Sequence, residues 1–133
     1  MIPAAVLGAI DELRQQFPDS TVEVREDGSG GAYLRIERVD LGPTYTEATR
    51  HTWIGFGIGF QYPHADVYPH FVRVDLQRAD GQPFGPGLST PVRFVGWECE
   101  GVQVSRRSQR RDASTETAAL KLMKVLKWMS QPR

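Results

Sequence analysis

Trp53-Ile54-Gly55-Phe56-Gly57-Ile58-Gly59-Phe60 decides the fold class, because Ile54, Phe56, Ile58 and Phe60 recur at every second position and glycine stands at 55, 57 and 59. A period of two is that of a β-strand, and it gathers the large apolar side chains on one face of a sheet. The other face is nearly bare. Glycine weakens a strand, so three in register imply that another backbone or a helix packs closely against that face. The G-x-G spacing lies inside a strand and opens no helix, so it does not read as a phosphate-binding loop.

Outward from this strand the pattern stays that of a meander. Upstream, Val22 and Val24 alternate with polar residues over Thr21 to Arg25, and the alternation resumes from Ala32 to Val39. Asp27-Gly28-Ser29-Gly30-Gly31 is the turn between the two halves of this hairpin. Downstream, Val72, Val74 and Leu76 alternate with Phe71, Arg73 and Asp75 as a fourth strand. Val6, Leu7, Ile10, Leu13 and Phe17 fall at helical spacing before Pro18, so an amphipathic helix opens the chain. From Gly81 to about Pro91 the chain is rich in Gly and Pro and reads as an irregular loop; Val92 to Val104 contains a further extended stretch. A second helix is predicted from Asp112 or Ser114, with Glu116 in its first turn and Leu120, Met123, Leu126 and Trp128 on its apolar side. The expected architecture is α+β: an N-terminal helix, a four-stranded antiparallel meander, an irregular loop and a C-terminal helix.

The 133 residues suit one domain, taken as 1–133. Sixteen Lys and Arg balance sixteen Asp and Glu, so no global field steers the chain to nucleic acid or to anionic lipid. A single cysteine excludes an internal disulfide, and no apolar run approaches the ~20 residues of a bilayer span. With no secretory signal pattern, a reducing cytoplasm is the expected compartment. The three histidines lack metal-ligand spacing, and no cofactor or metal is expected.

The stretch LGPTYTEATRHTWIGFGIGFQYPHADVYPHFVRVDL, residues 41–76, resembles the centre of ubiquitin-conjugating enzymes. In that family a G-P-x-x-T-P-Y turn leads into a strand, then an aromatic-Pro and Tyr-Pro loop, then a strand of alternating valines. Gly42-Pro43-Thr44-Tyr45, Phe56 to Phe60, Tyr62-Pro63, Tyr68-Pro69 and Val72 to Leu76 take those places here. Physically, prolines after aromatics end a strand, since Pro has no N–H for the ladder. The C-terminal part is similar to the divergent bacterial conjugating-enzyme-like proteins, with Gln103, Ser105, Arg106 and Trp128 matching and Val104 standing where Trp is usual. The family's His-Pro-Asn tripeptide is missing, and with it the Asn that steadies the oxyanion.

The resemblance implies a UBC-like fold whose irregular loop is the active-site region, and a carrier that accepts the C-terminus of a ubiquitin-like protein from an activating enzyme and passes it to an amine of a target protein. Such a carrier needs a reachable nucleophile. Cys99 is the only thiol, but Glu98 and Glu100 flank it and disfavour a thiolate. Ser105 lies four residues past Gly101, near the spacing the family uses after a glycine turn, with Arg106 and Arg107 beside it. An oxyester on Ser105 requires a base, and His64 and His70 on the Tyr-Pro loop are the candidates. Each has a structural reading too: core for Cys99, turn for Ser105, loop for the histidines. Arg106, Arg107, Arg110 and Arg111 suit an acidic protein surface, with phosphate binding as the other reading and a solvated face as the structural one; the zero net charge favours the protein partner. A catalytically inactive conjugating-enzyme variant acting as a binding scaffold is the alternative function.

Overall fold

The computed structural model describes residues 2–107, 112 and 114–131. Helix α1 (Ala4–Gln16) follows Pro3, whose extended backbone starts the first turn, and it buries Val6, Ala9, Ile10 and Leu13 on one stripe. Six strands then form one antiparallel sheet: β1 (Val22–Glu26), β2 (Ala32–Asp40), β3 (His51–Ile58), β4 (His70–Arg73), β5 (Leu88–Phe94) and β6 (Cys99–Val104), in the spatial order β1-β2-β3-β4-β6-β5. Helix α2 (Ala118–Ser130) closes the domain. Among the described residues no helix is long and apolar enough to cross a membrane.

The α+β class and the order of the first four strands stand as expected, but β3 stops at Ile58 short of Phe60, β4 stops at Arg73 with Val74 and Leu76 beyond it, and the sheet has six strands, not four. Two features hide β5. Pro91 lies within it, and the register slips between Ser89 and Val92, so its alternation is broken. β6 then enters between β4 and β5, a non-local pairing that period counting does not reveal. The second helix also starts later than expected. Asp112 and Ser114 belong to a preceding turn, in which the Glu116 N–H donates to Asp112 O at 2.8 Å, and Thr117 is the cap, its Oγ1 accepting from Leu120 N at 3.2 Å.

Register sets the two faces. Ile54 lies opposite Ile36 and Val72, and Phe56 opposite Leu34 and His70, so these residues with Val102 and Val104 form one wall. Ala118, Ala119, Leu122, Val125 and Met129 of α2 and the stripe of α1 share the core with that wall. A slip of one residue would turn the whole wall to solvent, so alternation fixes the pairing.

The opposite face is covered by neither helix. There the β5–β6 hairpin arm folds back over the sheet. The short 3-10 turn Val95–Trp97 brings Gly96 against Tyr33 of β2, and Phe94 lies over Gly55 of β3. A Cβ at Gly55 would overlap the Phe94 ring. The bare face of the glycine strand therefore receives an aromatic ring, where the sequence suggested a backbone or a helix. Gly57 has only ordinary contact with Tyr33, and Gly59 has nothing near it. Phe94 is 2 % exposed, with Phe71, Trp97, Trp53 and Tyr33 ring centroids at 4.9, 5.9, 6.0 and 6.2 Å. Arg35 and Arg25 lie over the Trp53 and Trp97 rings at 4.6 and 4.3 Å and finish this second, smaller core.

Candidate functional site

The two candidate nucleophiles stand at opposite ends of one strand. Cys99 opens β6 and Ser105 follows its last residue, so about 20 Å of extended chain separates them. They do not belong to one site.

Ser105 sits where the chain enters both β4 and β5. Val104 pairs with His70 and with Leu88, and the Ser105 N–H donates to Gly87 O at 2.8 Å. Its side chain is half-buried and engaged on two sides. Gln103, two residues earlier and on the same face, donates from Nε2 to Ser105 Oγ at 3.0 Å. The Ser105 hydroxyl also hydrogen-bonds the Tyr68 phenol, and the Arg107 guanidinium lies 4.5 Å over the Tyr68 ring. The bond from Ser105 and that from Arg107, aided by the charges of Arg107 and Lys121, hold the Tyr68 phenol below its ordinary pKa of 10.0, against the opposing effect of burial. Tyr68 and Ser105 thus form a hydroxyl pair in which the proton of one can pass to the other, with an amide donor alongside. Tyr68 carries no mark in the sequence beyond its place in Tyr68-Pro69; only loop closure brings it to Ser105.

The histidines are placed elsewhere. His70 is the first residue of β4, not part of the loop, and is 0 % exposed. It points with Phe56 and Val104 toward the helices, on the other side of the sheet from Gln103 and Ser105. Among the described residues neither ring nitrogen has a hydrogen-bond partner, and burial, helped by the charge of Lys121, pushes the ring down to a pKa of about 3. It is a neutral core group. His64 is exposed at the start of the loop, its N–H bonded to Gln61 O at 2.8 Å, and lines a shallow pocket with Phe60, Gln61, Tyr62 and Ala65. The structure therefore joins Ser105 to a phenol and an amide, with the His70 imidazole behind the sheet.

Cys99, half-exposed, lines a groove of about 910 Å³ under the hairpin arm, shared with Arg35, His51, Trp53, Arg73 and Asp75. Two of the groove's arginines are occupied. Arg35 Nε is 2.6 Å from Glu37, and Arg73 grips Asp75 through two bonds of 2.6 and 2.7 Å. Arg73 also donates to His51 O at 3.0 Å, and His51 Nε2 is 3.5 Å from Asp40. Among the described residues no group of three metal-ligating side chains is present.

Of the arginine cluster, Arg106 and Arg107 are exposed and stack on Trp128 and Tyr68, at 4.9 and 4.5 Å, and through Tyr68 the Arg107 guanidinium joins the Ser105 group. Arg110 and Arg111 lie outside the described residues. Comparison with protein-family models, with curated proteins and with solved structures finds no significant match to this chain.

Proposed function

We propose that this protein, a divergent UBC-like domain, carries the C-terminus of a ubiquitin-like protein as an oxyester on Ser105, taking it from an activating enzyme and giving it to a target amine. The observation that carries the reading is the junction of Ser105 with Tyr68, Gln103 and Arg107 at the strand ends. Ser105 Oγ attacks the carbonyl carbon of the modifier's thioester with the activating enzyme. The new C–O bond forms as the C–S bond breaks, the Ser105 proton passes to Tyr68, and the phenol's own proton goes to the departing thiolate. Proton transfer of this kind contributes on the order of 10²–10⁴ in rate. Gln103 Nε2 supplies the amide donor that the missing Asn would have given the oxyanion. The target amine later attacks the oxyester, and the proton it releases returns to Ser105. Arg106 and Arg107, held on aromatic rings, present cations to an acidic modifier or activating-enzyme surface.

Incubation with activating enzyme, ATP and modifier is expected to give an adduct that survives reducing agent and yields to hydroxide. Tyr68→Phe should slow its formation on the order of a hundredfold. An adduct released by reducing agent would move the chemistry to Cys99, which lines the arm groove. The absence of any adduct would favour the scaffold reading, which one observation supports: amide and hydroxyl of Ser105 are both already hydrogen-bonded, as in an ordinary turn.

A further inference from the structure

Tyr68 meets Ser105 only if the loop between β3 and β4 is held down, and two polar latches to α2 hold it. Tyr62 Oη accepts the Ala118 N–H at 3.0 Å, at the first turn of the helix. One turn further on, Lys121 Nζ donates to both carboxylate oxygens of Asp66, at 2.9 and 3.1 Å. Lys121 is 3 % exposed, and Val67, between Asp66 and Tyr68, is equally buried. A buried ion pair adds little net stability, because desolvation offsets its attraction, whereas removing one partner strands a charge. What such a pair supplies well is a fixed geometry. Two charged groups act on the Tyr68 phenol, Arg107 from beyond β6 and Lys121 from α2, and Asp66 holds Lys121 from the loop itself. His70, next to the latch, is uncharged at neutral pH.

We infer that Lys121, latched to Asp66, is a positioning residue that sets the Tyr68 phenol against Ser105 and biases it electrostatically. Its consequence for rate rests on the oxyester reading above; its effect on the phenol does not.

The test follows the Tyr68 ring directly, by NMR of protein carrying ¹³C-labelled tyrosine, with the Tyr68 signal assigned from Tyr68→Phe. Lys121→Met removes a cation that acts on Tyr68, so the phenol should titrate measurably higher than in the wild type. The pH profile of adduct formation should move up by the same amount. Lys121→Arg, which keeps charge and pairing, should restore both. Should Lys121→Met fail to fold, Lys121→Met with Asp66→Asn leaves no stranded charge; its Tyr68 signal should shift or broaden, and adduct formation at pH 7 should slow about tenfold. A folded variant of either kind whose Tyr68 signal and titration match the wild type would overturn the inference. If the wild type forms no adduct, the oxyester reading falls, and the NMR comparison alone still decides whether the latch sets the phenol.

Discussion

β6 has a hydroxyl at one end and a thiol at the other, and the two ends are built on different principles. Around Cys99, two arginines of the groove have their own carboxylates, Arg35 with Glu37 and Arg73 with Asp75, while Arg38 stands exposed at its rim. Much of the charge at that end is therefore already paired, beside the aromatic arm folded over the sheet. Around Ser105 the contacts are neutral hydrogen bonds from an amide and to a phenol, and the cations of Arg106 and Arg107 are held on ring faces. Under the proposed function, these two arginines are the ones that would meet an incoming anionic group. The only thiol in a chain is thus not the nucleophile by default; what its neighbours are already bonded to matters more than its intrinsic reactivity.

The sharpest way to break this contrast is to remove each nucleophile in turn. Ser105→Ala is expected to lower adduct formation by at least about a hundredfold, while Cys99→Ala leaves it near wild type, as read by mobility shift with and without reducing agent. The opposite result would assign the chemistry to the thiol end. Next in size, Phe94→Ala empties the centre of the second core and should cost about 3–5 kcal/mol in urea unfolding, with faster alkylation of Cys99 as the arm loosens. Adduct formation at Ser105 in the folded fraction should hold, since Phe94 is remote from it.

A smaller effect separates the ends by pH. The His70 ring has a folded pKa of about 3 against an ordinary 6.5, so the stability it contributes is fully present above pH 6.5 and is lost as pH falls toward 3. At pH 4.5 the loss should be about 2–3 kcal/mol by urea unfolding, and His70→Leu should abolish that component. Because His70 pairs with Val104, acid should loosen the Ser105 end before the arm. Smallest of all, Gln103→Ala should slow adduct formation about tenfold and leave stability within about 1 kcal/mol.

How much of this was legible in the sequence follows from the range of the forces involved. Local periodicity marks α1, the β1–β2 hairpin and β3, since one face of each meets the core and the other does not. The three glycines announced a close approach, and Gly55 makes one, but no local pattern names Phe94, 39 residues away, as the visitor. β5 was concealed by Pro91, which reads as loop and is tolerated because the strand lies at the sheet's margin. The spacing of Ser105 after Gly101 and the adjacency of Arg106 and Arg107 marked them as candidates for the proposed site. Nothing local marked Tyr68, whose place beside Ser105 depends on a loop tied down by Asp66 and Lys121, a pairing across 55 residues. His70 was misplaced for a related reason: a histidine after Tyr-Pro looks solvent-facing until the β3–β4 register turns it inward.

The fastening of α2 has one more consequence. Its first turn is tied by Tyr62 and, through Thr117, by Glu12; its last turn is tied by Tyr45, whose hydroxyl donates to Met129 O at 2.9 Å, and by Thr44, which donates to Ser130 O at 2.7 Å. These partners come from three separate parts of the chain. Helix ends ordinarily fray, so their amides exchange with deuterium before those of the middle. A helix stapled at both termini has no loose end from which to unwind, and its amides should exchange together, only when the domain opens as a whole.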